Sequence, residues 1–131
     1  MRDIKFRIYA DNKFYYKCLV GNTNDIENKD WTCPMVWLED KKEWVNCDNG
    51  IIQQFTGLYD KNNTPIYEGD IINNKNILED VNYEVIFDNG AFYGKRKNYY
   101  NPETIMYLKL YRVDKEDIEV VGNIFDNKED I

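Results

Sequence analysis

Apolar and polar residues alternate with a period of two along much of this chain, and a helical spacing is rare. Near the start, Ile4, Phe6 and Ile8 alternate with Lys5, Arg7 and Tyr9, as in a strand with one buried face. Asp11-Asn12 supplies a turn and residues 14–20 a second strand, so the chain opens on a hairpin. Residues 21–30 are polar, Asn-rich and aperiodic, which predicts a loop. Trp31, Trp37 and Trp44 are spaced much like a helical stripe, but Pro34 and the short apolar runs favour strands, with a second hairpin turning around 39–42. The run Cys47-Asp48-Asn49-Gly50 reads as a turn and as a boundary, dividing an N-terminal β-rich portion (1–50) from a second portion (51–131).

The second portion is denser in turn signals. Residues 51–56 are rich in β-branched and aromatic side chains that suit a pleated surface, and Gly57 is expected to end that strand. Asp60-Lys61-Asn62-Asn63 follows as a turn, because short Asx side chains bond nearby amides and tolerate positive φ. Pro65 lacks an amide proton and suits the first residue of a strand. Gly69, between Glu68 and Asp70, permits a sharp bend before Ile71 and Ile72. Residues 73–80 read as a polar loop. Tyr83, Val85 and Phe87 then mark a strand, and Asn89-Gly90 is a strong type I′ hairpin signal with the return strand at 91–93. Residues 105–111 read as a strand in preference to a short helix. Residues 118–125 close the chain as a strand with a bulge or bend at Gly122. The whole predicts a mainly β protein.

Four segments carry a family resemblance: MRDIKFR at the start, QFTGLYDKNNTPIYEGDII in the centre, then VIFDNGAF and EVVGNIFDN. Together they resemble the YopX family of phage and prophage proteins, and the match is weakest over 21–49. The resemblance implies a small SH3-like barrel subdomain, an origin in a phage or prophage of a Gram-positive host, and homo-oligomeric assembly. It implies no catalytic residue, because the family carries no assigned activity.

Composition narrows the chemistry. Hydrophobic residues make up 43% of the chain and aromatics 15%, too much for a disordered protein. The net charge of −7 repels duplex DNA at long range. The N-terminus lacks the apolar core of a signal peptide and no apolar run reaches membrane-spanning length, so a cytoplasmic protein without membrane contact is expected. Cys18, Cys33 and Cys47 are odd in number and lack CxxC spacing, which favours reduced, partly buried thiols over a disulfide framework or a zinc site. The absence of histidine removes the commonest general base, the usual nucleophile pairs and imidazole metal ligands. No glycine-rich phosphate loop is present.

Two constellations remain. Asp60, Glu68 and Asp70 could serve a hard cation such as Mg²⁺, but turn chemistry accounts for them together with Gly57, Pro65 and Gly69. No catalytic residue, metal ligand or cofactor is therefore assigned. Lys95, Arg96 and Lys97 lie among Tyr93, Tyr99 and Tyr100, and interleaved cations and aromatics suit single-stranded nucleic acid. The favoured expectation is a non-enzymatic, oligomeric protein that binds a host or phage macromolecule. Single-strand binding through that basic segment is the alternative, and a carboxylate-dependent, Mg²⁺-using enzyme ranks third.

Overall fold

The computed structural model describes residues 5–20 and 34–126. The predictions at Ile4, in the 21–30 loop, and at Trp31 and Cys33 lie outside the described residues. Contacts divide the chain inside one long strand, so that the described residues up to Gln54 and those from Phe55 onward form two compact units.

In the N-terminal unit, β1 (Phe6–Ala10) and β2 (Lys13–Tyr15) form the opening hairpin, with Tyr9 opposite Phe14. Its turn uses Asp11 at φ 52° and Asn12 at φ 64°, the left-handed pair that a type I′ turn requires. The predicted strand over 14–20 is instead two strands. The chain bends at Tyr16 and Lys17, and β3 (Cys18–Leu19) leaves the hairpin to join β4 (Met35–Leu38) and β5 (Glu43–Asn46) in a separate sheet of order β3-β4-β5. The Lys17 carbonyl accepts from the Trp37 amide at 3.1 Å, a long-range bond that a local pattern cannot announce. The hairpin of β4 and β5 forms as expected, with Trp37 opposite Trp44.

The other side of β1 pairs with the start of β6 (Ile51–Tyr59), Ile8 facing Ile52. Ile8 and Val36 are buried. Arg7 is buried too, its Nε donating to Gln53 Oε1 at 2.8 Å while its guanidinium lies 4.0 Å from the Phe14 ring centre. Cys18 and Cys47 are half-buried free thiols, and burial pushes both thiols up from their ordinary range.

In the C-terminal unit, β6 does not stop at Gly57. Gly57 takes φ 85° inside the strand, and Phe55 pairs with Tyr67 and Tyr59 with Pro65, so β6 spends four residue steps against two on β7 (Pro65–Tyr67). The irregularity is held by Thr56, whose hydroxyl donates to the Ile66 carbonyl at 2.7 Å and accepts from the Leu58 amide at 3.0 Å. A glycine that reads as a strand breaker is here a bulge, because the side chain next to it repairs the ladder.

Beyond the Gly69 bend, β8 (Asp70–Lys75), β9 (Asp80–Asp88), β10 (Ala91–Lys97), β11 (Ile105–Lys109) and β12 (Ile118–Asn123) make one antiparallel sheet of order β11-β10-β9-β8-β12. The sheet curls into a half-barrel around Ile66, Ile72, Tyr83, Val85, Phe92, Leu110 and Ile118. The protein is mainly β, as the periodicity predicts. The polar loop expected at 73–80 shrinks to the turn 76–79. Asn73 and Asn74 extend β8, and their side chains pair across the hairpin, Asn73 Nδ2 with Asn82 and Asp80 and Asn74 Nδ2 with Glu79. Likewise the return strand after Asn89-Gly90 runs past Tyr93 to Lys97. The strand expected at 105–111 ends at Lys109, and a 3-10 turn over Leu110–Arg112 then places Leu110 in the core. The bulge or bend expected at Gly122 is present, the register skipping from Val120 to Gly122.

A candidate nucleic-acid interface

Strand alternation decides what the basic segment can do. On β10, Phe92 and Gly94 point into the half-barrel and are buried. Gly94 has to be small there, since a Cβ would meet Tyr83 Cβ at 2.9 Å and Leu108 Cβ at 3.3 Å. Arg96 shares this inner face. Its guanidinium lies 5.5 Å from the Tyr83 ring centre and donates through Nη1 to the Lys97 carbonyl at 3.1 Å, while its Nε is buried without a hydrogen-bond partner. The three-residue basic run is therefore not one patch, and Arg96 is separated from its two neighbours by the sheet itself.

Tyr93, Lys95 and Lys97 emerge on the outer face. The register sets Lys95 opposite Tyr107 and Tyr93 opposite Lys109 on β11, and the Tyr93 and Tyr107 rings meet edge to face at 6.3 Å. Tyr107 is 57% exposed. Tyr107 and Lys109 escaped the sequence reading because they join the patch only through pairing. The period-two alternation of IMYLK puts them on one face, but nothing local names the strand they face. On the other side Lys95 faces Glu84 and Ala91 faces Asp88 of β9. Carboxylates thus border the face on one flank, and the basic-aromatic strip follows β10 and β11. Tyr99 and Tyr100 lie in the turn beyond β10, 85% and 92% exposed, with their rings edge to face at 5.2 Å. Three lysines beside two tyrosines on a sheet face offer charge for phosphates and flat surfaces for unstacked bases.

The acidic residues of the central stretch are placed quite differently. Asp60 is 1% exposed. Its Oδ1 accepts from the amides of Asn62 and Thr64 and its Oδ2 from that of Val120, each at 2.8 Å. Burial by itself pushes the carboxyl up, but the amides of Val120, Thr64 and Asn62 and the Thr64 hydroxyl outweigh it and hold the group below the ordinary aspartate value. Asp70 is buried as well and accepts from the Tyr67 amide at 2.8 Å, closing the bend in which Gly69 takes φ 88°. Half-buried Glu68 sits in that bend, and Pro65 opens β7. A carboxylate whose lone pairs are engaged by backbone amides is a structural staple, poorly placed to take a proton from a substrate. Among the described residues, no group of three or more acidic, Cys or His side chains is arranged to hold a metal ion. No helix of the described residues is long and apolar enough to cross a membrane.

Comparisons with known proteins agree on the fold and say little about activity. The crystal structure of protein EF1440 from Enterococcus faecalis superposes with a TM-score of 0.60 at 18% identity, over 98% of each chain. At that identity the likeness concerns the fold alone. No curated protein matches the sequence. The family model described as YopX protein matches residues 5–131. That match covers nearly the whole chain and takes in the TGL, DKN and IYEGD segments whose turn chemistry is described above, so the chain belongs to the YopX family.

Proposed function

We propose that this protein is a non-enzymatic accessory protein of a phage or prophage, acting in the host cytoplasm by binding a macromolecule, and that the ligand is single-stranded nucleic acid. The observation that carries the reading is the outer strip of β10 and β11, where Tyr93, Lys95, Lys97, Tyr107 and Lys109 share one face. The whole-chain charge of −7 makes the interaction local and salt-sensitive. A fluorescently labelled oligonucleotide should gain anisotropy at low salt and lose it as salt rises. Lys95→Glu with Lys97→Glu should weaken binding by about tenfold or more, through lost phosphate contacts and added repulsion. Arg96→Gln, on the opposite face, should weaken it far less. No anisotropy change at low salt would exclude nucleic acid and leave a host or phage macromolecule of another class as the ligand.

Self-association belongs to the same proposal. The sheet order ends in β11 and β12, and β11 carries exposed Met106 and Tyr107. Edge strands of this kind are commonly covered by a partner. Size-exclusion chromatography with light scattering should give a mass that is a multiple of 15.7 kDa, whereas a single chain at micromolar concentration would remove assembly from the proposal.

A further inference from the structure

The N-terminal unit contains a groove of about 470 Å³, running from β2 and the bend after it to the end of β4 and its turn. Its aromatic wall includes Phe14, Tyr16 and Trp37. The indole of Trp37 is set before any ligand arrives. Trp44 abuts it edge to face at 5.4 Å, and the Trp37 Nε1 donates at 2.6 Å to Glu39 Oε2, while Glu39 Oε1 accepts from Lys42 at 2.6 Å. One face of the ring already attracts a hydrogen-bond donor, the Lys17 ammonium lying 4.1 Å from its centre. Lysine is a long and flexible side chain and can yield that place to a ligand while still donating at its edge.

Charge selects among ligands. Lys13 and Lys17 line the groove together with Glu39 and Asp40, two cations against two carboxylates. A cation would meet Lys17 on the indole, and an anion would meet Glu39 and Asp40. A neutral molecule with one apolar face and a hydroxylated edge meets neither penalty. Glu39 accepts two bonds and, as a carboxylate, has further lone-pair sites to offer.

From this arrangement we infer that the groove is a carbohydrate site, in which a neutral pyranose ring stacks its C–H face on Trp37 and its hydroxyls bond to Glu39, Asp40 and Lys17. Trp37 and its neighbours belong to the N-terminal unit and the lysine–tyrosine strip to the C-terminal unit, so this site stands or falls independently of nucleic-acid binding.

The test follows the indole N–H resonances of ¹⁵N-labelled full-length protein during titration with cellotetraose, with chitotetraose and with a mononucleotide. The Trp37 signal is identified by its absence from Trp37→Phe. Either tetrasaccharide should move that signal saturably at millimolar concentration. Asp40→Ala, at an exposed position that leaves the Trp pair intact, should weaken binding by about threefold, the effect of losing one exposed hydrogen bond. Trp37→Ala should abolish the saturable response of the whole spectrum. The assignment is overturned if neither sugar moves the Trp37 signal, if the mononucleotide moves it equally well, or if a folded Trp37→Ala responds as the wild type does.

Discussion

Asp60→Ala should destabilise the C-terminal unit by about 3 kcal/mol, because three backbone amides lose the charged acceptor they share at a buried aspartate. The donors belong to distant parts of the chain. Asn62 and Thr64 lie in the turn after β6, whereas Val120 lies on the closing strand, and the Lys61 amide also donates to the Ile118 carbonyl at 3.0 Å. One carboxylate therefore ties the family's central stretch to the C-terminal strand. Asp60→Asn should cost less, since one oxygen still accepts, but its amide nitrogen then faces an amide donor. Denaturant unfolding of the three proteins at neutral pH checks the order wild type, Asn, Ala. The pH dependence has a definite sign. A carboxyl whose folded pKa lies below its unfolded value stabilises fully above the unfolded value and loses that contribution as pH falls through the folded value. The stability gap between wild type and Asp60→Asn should thus begin to close as pH drops past the ordinary value of 3.8 and continue closing below it. A gap that does not change between neutral and strongly acidic pH would show that the amide bonds do not favour the charged form.

Gly50→Ala should cost the N-terminal unit about 3 kcal/mol through overpacking. A Cβ at this position would lie 2.5 Å from Ile8 Cγ2 and 3.0 Å from Cys47 Sγ. Ile8 is fully buried and β-branched, so its χ1 has little freedom to turn away. The backbone would have to move instead, at the point where the turn bond from the Gly50 amide to the Cys47 carbonyl feeds directly into β6. A double-mutant cycle separates this contact from any backbone preference of glycine. Ile8→Ala removes the offending methyl, so the double variant should be clearly less destabilised than the two single costs added together. Strict additivity would mean that the clash is not the reason glycine is needed.

Much of the fold was legible because its turns are locally encoded. Asp11-Asn12, Asn89-Gly90 and Glu68-Gly69-Asp70 each carry the residues that their positive φ angles require, and each sits where predicted. Three of the departures share one cause. Gly57 resembled a terminator, Asn73 and Asn74 resembled a loop, and 14–20 resembled one strand. In every case a bond across the chain reversed the local preference: the Thr56 hydroxyl to Ile66, the asparagine ladder to β9, and the Lys17 carbonyl to Trp37. Local propensity is a weak guide wherever a neighbouring strand can satisfy the backbone or the side chain.

The candidate sites divide along the same line. Lys95, Arg96 and Lys97 drew attention as a basic run among tyrosines, and the period of a strand was enough to say that Arg96 faces away from the other two once 91–97 is known to be one strand. That Tyr107 and Lys109 complete the strip depends on β11 pairing with β10 in one particular register. The groove beside Trp37 likewise draws on β2 and β4, which belong to different sheets. The sequence alone determined the mainly β class, the tight turns, the family, and the lack of histidine chemistry, since composition and dipeptide preferences act over a few residues. Only the tertiary structure decided which cations and aromatics share a surface and which carboxylates are spent on amides. Those outcomes depend on strand register and burial, and both are set by contacts between residues far apart in the chain.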